Sequence, residues 1–258
     1  SLRVEDGNNC VINQSFTIGE PATGISFTLD SVDNSCFGAS KGSITMQGLT
    51  GGTPNYTFAW DDDPTPSQDR TNLAAGTYRV VVTDNKGCTE EGSTTINDPA
   101  QITIDSTVIN PLCNGDATGE ATITASGGSG SYNYSWEGSP TGDGTRTIED
   151  LSAGTYKVTV TDQSDLTCQI IDSVTITEPS AIQFMNVLTT PTSCFGENDG
   201  TAAVAANGGN GGFSYLWSNG GTTSNTSQLL AGNHVVTATD SRGCQDSLIV
   251  NIEQPSEL

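Results

Sequence analysis

Leu151-Ser152-Ala153-Gly154-Thr155-Tyr156-Lys157-Val158-Thr159-Val160-Thr161-Asp162 decides the fold. Tyr156, Val158 and Val160 step by two, with polar residues between them, which is the period of a strand with one buried face. Ala-Gly before the run and polar residues after it are turn signals. The string occurs twice more, at Leu73–Asp84 and Leu229–Asp240. His234 takes the place of Tyr78 and Tyr156 in the third copy, which makes it a half-buried packing residue rather than a catalyst.

Outward from the string, the copies stay aligned. An aromatic run precedes each one: Tyr56/Phe58/Trp60, Tyr132/Tyr134/Trp136 and Phe213/Tyr215/Trp217. Before that stand Gly51-Gly52, Gly127-Gly128 and Gly208-Gly209, and earlier still Gly42, Gly119 and Gly200. Each copy opens on a cysteine turn, Cys36-Phe37-Gly38, Cys113-Asn114-Gly115 or Cys194-Phe195-Gly196. Each closes through a second cysteine (Cys88, Cys168, Cys244) and an Ile-x-x-Pro ending at Pro99, Pro179 or Pro255. A period of about 80 residues means a domain array. The expected repeats are 22–99, 100–179 and 180–258. Residues 1–21, with Cys10 and Ile18-Gly19-Glu20-Pro21, read as the tail of a preceding truncated repeat, and the chain as a piece of a longer array. No signal peptide is recognisable.

Turn signals every 8–15 residues or so give about six or seven short strands per copy, an all-β, immunoglobulin-like antiparallel sandwich. The glycine of each Leu-x-Ala-Gly is expected at positive φ, and the following Tyr in a tyrosine corner. The period-two Trp and Tyr residues are expected in the core rather than on sugars.

Composition narrows function. With 258 residues and a net charge of -22, the chain lacks the basic surface that nucleic acid or an anionic membrane needs. One histidine leaves no His-based metal cluster, and no apolar stretch is long enough to span a bilayer. No acid pair or nucleophile–base pair recurs between copies, so no catalytic residue is assigned and no enzyme is expected.

Seven cysteines without a C-x-x-C read as three in-repeat disulfides, Cys36–Cys88, Cys113–Cys168 and Cys194–Cys244, with Cys10 left unpaired. Reduced, buried thiols are the alternative. Each bridge would contribute roughly 4 kcal/mol in the chain-entropy model and implies an oxidising compartment. Short linkers opened by proline, from Pro99 to Ile102 and from Pro179 to Ile182, suggest a semi-rigid rod.

The ordered motifs, from Cys-x-Gly through Gly-Gly, Trp, Leu-x-Ala-Gly-Thr-Tyr, Val-Thr-Asp and Gly-Cys to Ile-x-x-Pro, resemble the SprB repeat over essentially the whole chain. That family occurs in tandem on very large cell-surface proteins of Bacteroidetes, gliding-motility adhesins among them. The resemblance implies type IX secretion and display outside the outer membrane. The expected partners are neighbouring repeats, other surface-filament proteins and extracellular polysaccharide. The rival reading is a spacer or carbohydrate-binding module of a secreted polysaccharide-degrading enzyme.

Ser31, Ser106, Ser173 and Ser247 lie in Asp-Ser-x triplets that look like the Bacteroidetes O-glycosylation sequon. Asp61, Asp62 and Asp63, with Glu197 and Asp199, are candidate Ca²⁺ ligands because they place oxygens in loops. No other cofactor is expected.

Overall fold

The computed structural model describes residues 1–17, 19, 23–138 and 140–257. Of the tail motif, Ile18, Glu20 and Pro21 lie outside the described residues. The chain divides into two compact units, Ser1–Gln101 and Ile102–Leu258. Among the described residues all regular structure is β, and every strand pair is antiparallel.

The first unit opens with a hairpin, β1 (Leu2–Glu5) and β2 (Val11–Gln14). Six strands follow: β3 (Ser26–Val32), β4 (Gly42–Thr50), β5 (Thr57–Trp60), β6 (Arg70–Leu73), β7 (Gly76–Thr83) and β8 (Thr89–Ile96). They form two three-stranded sheets, β3-β4-β6 and β5-β7-β8. In immunoglobulin terms these are A-B-E and C-F-G, a sandwich without strand D. The second unit repeats this arrangement twice. Its first six strands are β9 (Thr103–Ile109), β10 (Gly119–Ser126), β11 (Tyr132–Trp136), β12 (Thr147–Leu151), β13 (Gly154–Asp162) and β14 (Gln169–Ile176). Its second six are β15 (Gln183–Thr190), β16 (Gly200–Asn207), β17 (Ser214–Trp217), β18 (Asn225–Leu229), β19 (Gly232–Thr239) and β20 (Gln245–Ile252).

The period-two residues of the deciding string fill the cores. Val158 and Val160 of β13 are buried against Trp136, Val174 and Ile176, and across the gap against Ala121, Ile123, Ile148 and Leu151. Each fully buried Val, Ile or Leu removes roughly 1.5–3 kcal/mol of apolar exposure. The three indoles are buried, and their ring N–H groups are satisfied by backbone carbonyls of Ser67, Thr145 and Thr223.

Three motifs distant in sequence meet at one point of each sandwich. A Cβ on Gly119 would lie 2.7 Å from the Leu151 carbonyl oxygen and 3.0 Å from Ile176 Cγ2. Gly42 meets Leu73 and Ile96, and Gly200 meets Leu229 and Ile252, in the same way. The glycine, the leucine of Leu-x-Ala-Gly and the isoleucine of Ile-x-x-Pro therefore share one packing site.

The tyrosine corner forms as expected. Tyr78 and Tyr156 donate their hydroxyls to the Ala74 and Ser152 carbonyls at 2.9 and 3.0 Å. His234 Nε2 makes the equivalent bond to the Leu230 carbonyl at 2.9 Å. The expected positive φ at Gly76 and Gly154 does not occur. It falls instead on Asn72, Asp150 and Gln228, each just before the leucine, where the pairing register shifts and a bulge adds a residue. Only Gly232 of the three turn glycines keeps a positive φ, at 125°.

Candidate functional site

Both cysteine loops of each sandwich are built by hydrogen bonds to a carboxylate or amide. The second cysteine follows the F–G turn, where a buried aspartate organises the loop. Asp240 Oδ1 accepts the Arg242 and Cys244 N–H groups at 2.8 and 2.9 Å, and Oδ2 accepts the Asn210 N–H at 2.7 Å. Asp84 does the same with Lys86, Cys88 and Thr53. Asp162 takes both the N–H and the hydroxyl of Ser129 and of Ser164. The second glycine of each Gly-Gly pair exists to admit this carboxylate. Gly128 and Gly209 are at φ 52° and 49°, and a Cβ would stand 2.2 and 2.7 Å from the Asp162 and Asp240 Oδ2 atoms.

These aspartates titrate low. At Asp240 burial pushes the carboxyl up, but donors from Asn210, Arg242 and Cys244 outweigh it and hold the pKa at about 2. At Asp162 burial is likewise overcome, by Ser129 and Ser164. The Thr53 N–H is the largest influence lowering Asp84.

The first cysteine lies in the A–B loop, tied to the residue before the closing proline. Gly115 N–H donates to Glu178 Oε2 at 2.7 Å, Gly38 to Asp98 Oδ2 at 2.7 Å, and Gly196 to Gln254 Oε1 at 3.2 Å. This loop sits beside the start of strand B and the end of strand G. The Asp-capped F–G turn sits beside the end of strand B. The two cysteines of one sandwich are therefore separated by the length of an eight-residue strand, roughly 25 Å.

That distance overturns the in-repeat disulfides, because bridged Cα atoms must approach within about 7 Å. Cys113 is bonded to Cys244, with Cα atoms 5.5 Å apart and 131 residues between them in sequence. Neither Cys113–Cys168 nor Cys194–Cys244 forms, and Cys194 is a free, exposed thiol. Cys36–Cys88 does not form either, since Cys88 is free and exposed. Cys36 and Cys168 are not free thiols: each is disulfide-bonded. Cys10 is a free, exposed thiol.

Within the second unit, the bond joins the first cysteine of one sandwich to the second cysteine of the next. Ile182, Ala238 and Cys244 are buried there, with Cys113, Phe213 and Tyr215 against them. Asn210 Nδ2 donates to the Leu112 carbonyl at 2.9 Å across the joint. A cleft of about 500 Å³ opens beside it, between Asn114, Asp116, Ser180, Gln245 and Asp246.

The SprB repeat family model matches this chain three times, at residues 28–65, 106–141 and 186–222. Each of the three sandwiches thus contains a stretch that matches the SprB repeat. Each match runs from the first strand of a sandwich through its aromatic strand to the loop beyond. No characterised protein matches the sequence closely enough to count as a relative. Among solved structures, immunoglobulin domains 1–5 of Sidekick-1 align at 11% identity and a TM-score of 0.33, covering 91% of this chain and 60% of that one. The N-terminal eight Ig domains of Down Syndrome Cell Adhesion Molecule align at 10% and 0.39, covering 89% and 43%. Domains 1–6 of the surface layer protein SbsC align at 13% and 0.28, covering 98% and 44%.

Ser31, Ser106, Ser173 and Ser247 are all exposed, in the first strand (β3, β9) or last strand (β14, β20) of a sandwich. Asp62 grips Arg70 through both oxygens at 2.6 and 3.0 Å, and Asp63 accepts the Thr65 N–H at 2.9 Å. Arg70 in turn lies over the Trp60 ring, so this acidic run is the lid of an ion pair and a cation–π contact. Asp61 and Glu197 are exposed. Asp199 accepts the Ser193 N–H at 2.9 Å, and hydrogen bonding from the Ser193 side chain and then its backbone lowers the Asp199 pKa. No helix among the described residues is long and apolar enough to cross a membrane.

Proposed function

We propose that these SprB repeats form a load-bearing, non-enzymatic segment of a large bacterial cell-surface filament or adhesin, of the kind that gliding-motility adhesins exemplify. The Cys113–Cys244 bond carries the reading, because it fastens one sandwich to the next rather than stapling either one. Under tension the force path crosses that bond, and the residues between the two cysteines are shielded from extension. Disulfides persist in oxidising compartments, which agrees with secretion through the type IX system and placement outside the outer membrane. A net charge of -22 keeps such a segment soluble and self-repelling. The semi-rigid rod belongs to this proposal, as do glycans on Ser31, Ser106, Ser173 and Ser247 that would shield it.

Single-molecule stretching of the whole chain tests it. The 131-residue span closed by the bond corresponds to on the order of 450 Å of extended chain at about 3.5 Å per residue. Full unfolding under oxidising conditions should fall short of the reduced chain's extension by at least that length. Equal extension with and without reductant would show that the joint carries no load.

A further inference from the structure

We propose that Cys194 and Cys88 are the two unmatched halves of the joint that Cys113 and Cys244 complete, and that each takes a further SprB repeat as its covalent partner. Cys194 belongs to an A–B loop and is matched by the F–G cysteine of the next repeat. Cys88 belongs to an F–G turn and is matched by the A–B cysteine of a preceding one.

The two halves are built as the completed joint is built. On the receiving side, Asp84 N–H donates to the Cys88 carbonyl at 2.9 Å, and Cys88 N–H returns a bond to Asp84 Oδ1 at 2.9 Å. Asp240 and Cys244 exchange the same two bonds at 2.9 and 2.9 Å. The backbone wall behind each carboxylate, Thr53 or Asn210, is also equivalent. On the offering side, the turns close alike, by Glu197 N–H to the Cys194 carbonyl at 3.3 Å and Asp116 N–H to the Cys113 carbonyl at 3.4 Å.

What differs is cover. Cys244 is 7% exposed in its bond, whereas the Cys88 and Cys194 thiols are open. Phe195, beside Cys194, is 50% exposed, and with Pro255 and Ser193 it lines a hollow of about 330 Å³. Cys10 has an aspartate-capped turn too, through Asp6, but only the two-stranded β1–β2 hairpin stands behind it. The Cys88 turn is therefore the complete receiver.

The partners face different surfaces, so the contact is heterologous and propagates head to tail instead of closing into a dimer. Bond formation removes two protons and two electrons from the two thiols, and oxidised glutathione accepts them to give two glutathione thiols. The inference rests on the cysteine register and is independent of the load-bearing reading.

The test uses the full chain at high concentration, with oxidised glutathione as oxidant and a second copy of the chain supplying the further repeat. The expected product is a ladder of linear oligomers, cleaved by reductant, whose linked peptides join Cys194 of one copy to Cys88 of another. Cys194→Ser and Cys88→Ser should each abolish that linkage, while Cys10→Ser leaves it; all three sites are exposed, and Cys113–Cys244 reports that each variant is folded. Symmetric Cys194–Cys194 dimers, Cys194–Cys10 linkage, or glutathione adducts alone would overturn the proposal.

Discussion

Asp162 shows how much one residue of the repeat carries. Its side chain is fully buried, and it ties two loops together through Ser129 and Ser164. Asp162→Asn turns an NH₂ toward donors that need an acceptor, and should destabilise the second unit by about 1–3 kcal/mol in denaturant titration. The acid response has a definite sign. Asp84, Asp162 and Asp240 have folded pKa values below the ordinary 3.8, so their stabilisation is complete above that value. It is lost as pH falls through the folded values, near 2 for Asp240. The melting temperature should hold level above about pH 5 and drop between about pH 4 and 2. Asp240→Asn should flatten part of that drop, and a profile unchanged by the substitution would contradict the assignment. A turn-capping role for these aspartates was legible in the sequence, because Thr-Asp precedes a turn in every copy. Their burial was not, since it depends on a Gly-Gly loop about 30 residues away in sequence, as between Ser129 and Asp162.

At the scale of elements, strand B is the most constrained piece of the sandwich. Its first residue, Gly119, is pressed against Leu151 and Ile176, so Gly119→Ala has no room for its methyl. Overpacking of this kind should cost about 1–3 kcal/mol, read as a lower melting temperature, whereas Gly138→Ala meets no neighbour within 4 Å and pays only for its positive φ. Period-two patterning located most strands, because each buries one face. The edge strands β6, β12 and β18 carry a bulge whose αL residue is Asn, Asp or Gln rather than the glycine that the turn chemistry suggested. No residue type demands that conformation. The pairing register imposes it, so the sequence pattern placed the positive φ a few residues too late.

For the molecule as a whole, the decisive feature is which cysteines meet. Counting cysteines within a repeat made in-repeat pairing look natural, because the separations are nearly constant. Topology forbids it: an A-B-E and C-F-G sandwich puts the A–B and F–G loops at opposite ends. The information was present once the strands were assigned to sheets, but nearness in sequence masked it. The same topology sends the chain in at the F–G end and out at the A–B end, so within the second unit the exit of the first sandwich presents Cys113 to the entrance of the next. A non-reducing peptide map is the most direct test, using cleavage at acidic residues, which separates all seven cysteines onto different peptides. The account predicts a linked pair carrying Cys113 and Cys244, with Cys10, Cys88 and Cys194 recovered as thiols. Linked pairs joining Cys113 to Cys168 and Cys194 to Cys244 would contradict it.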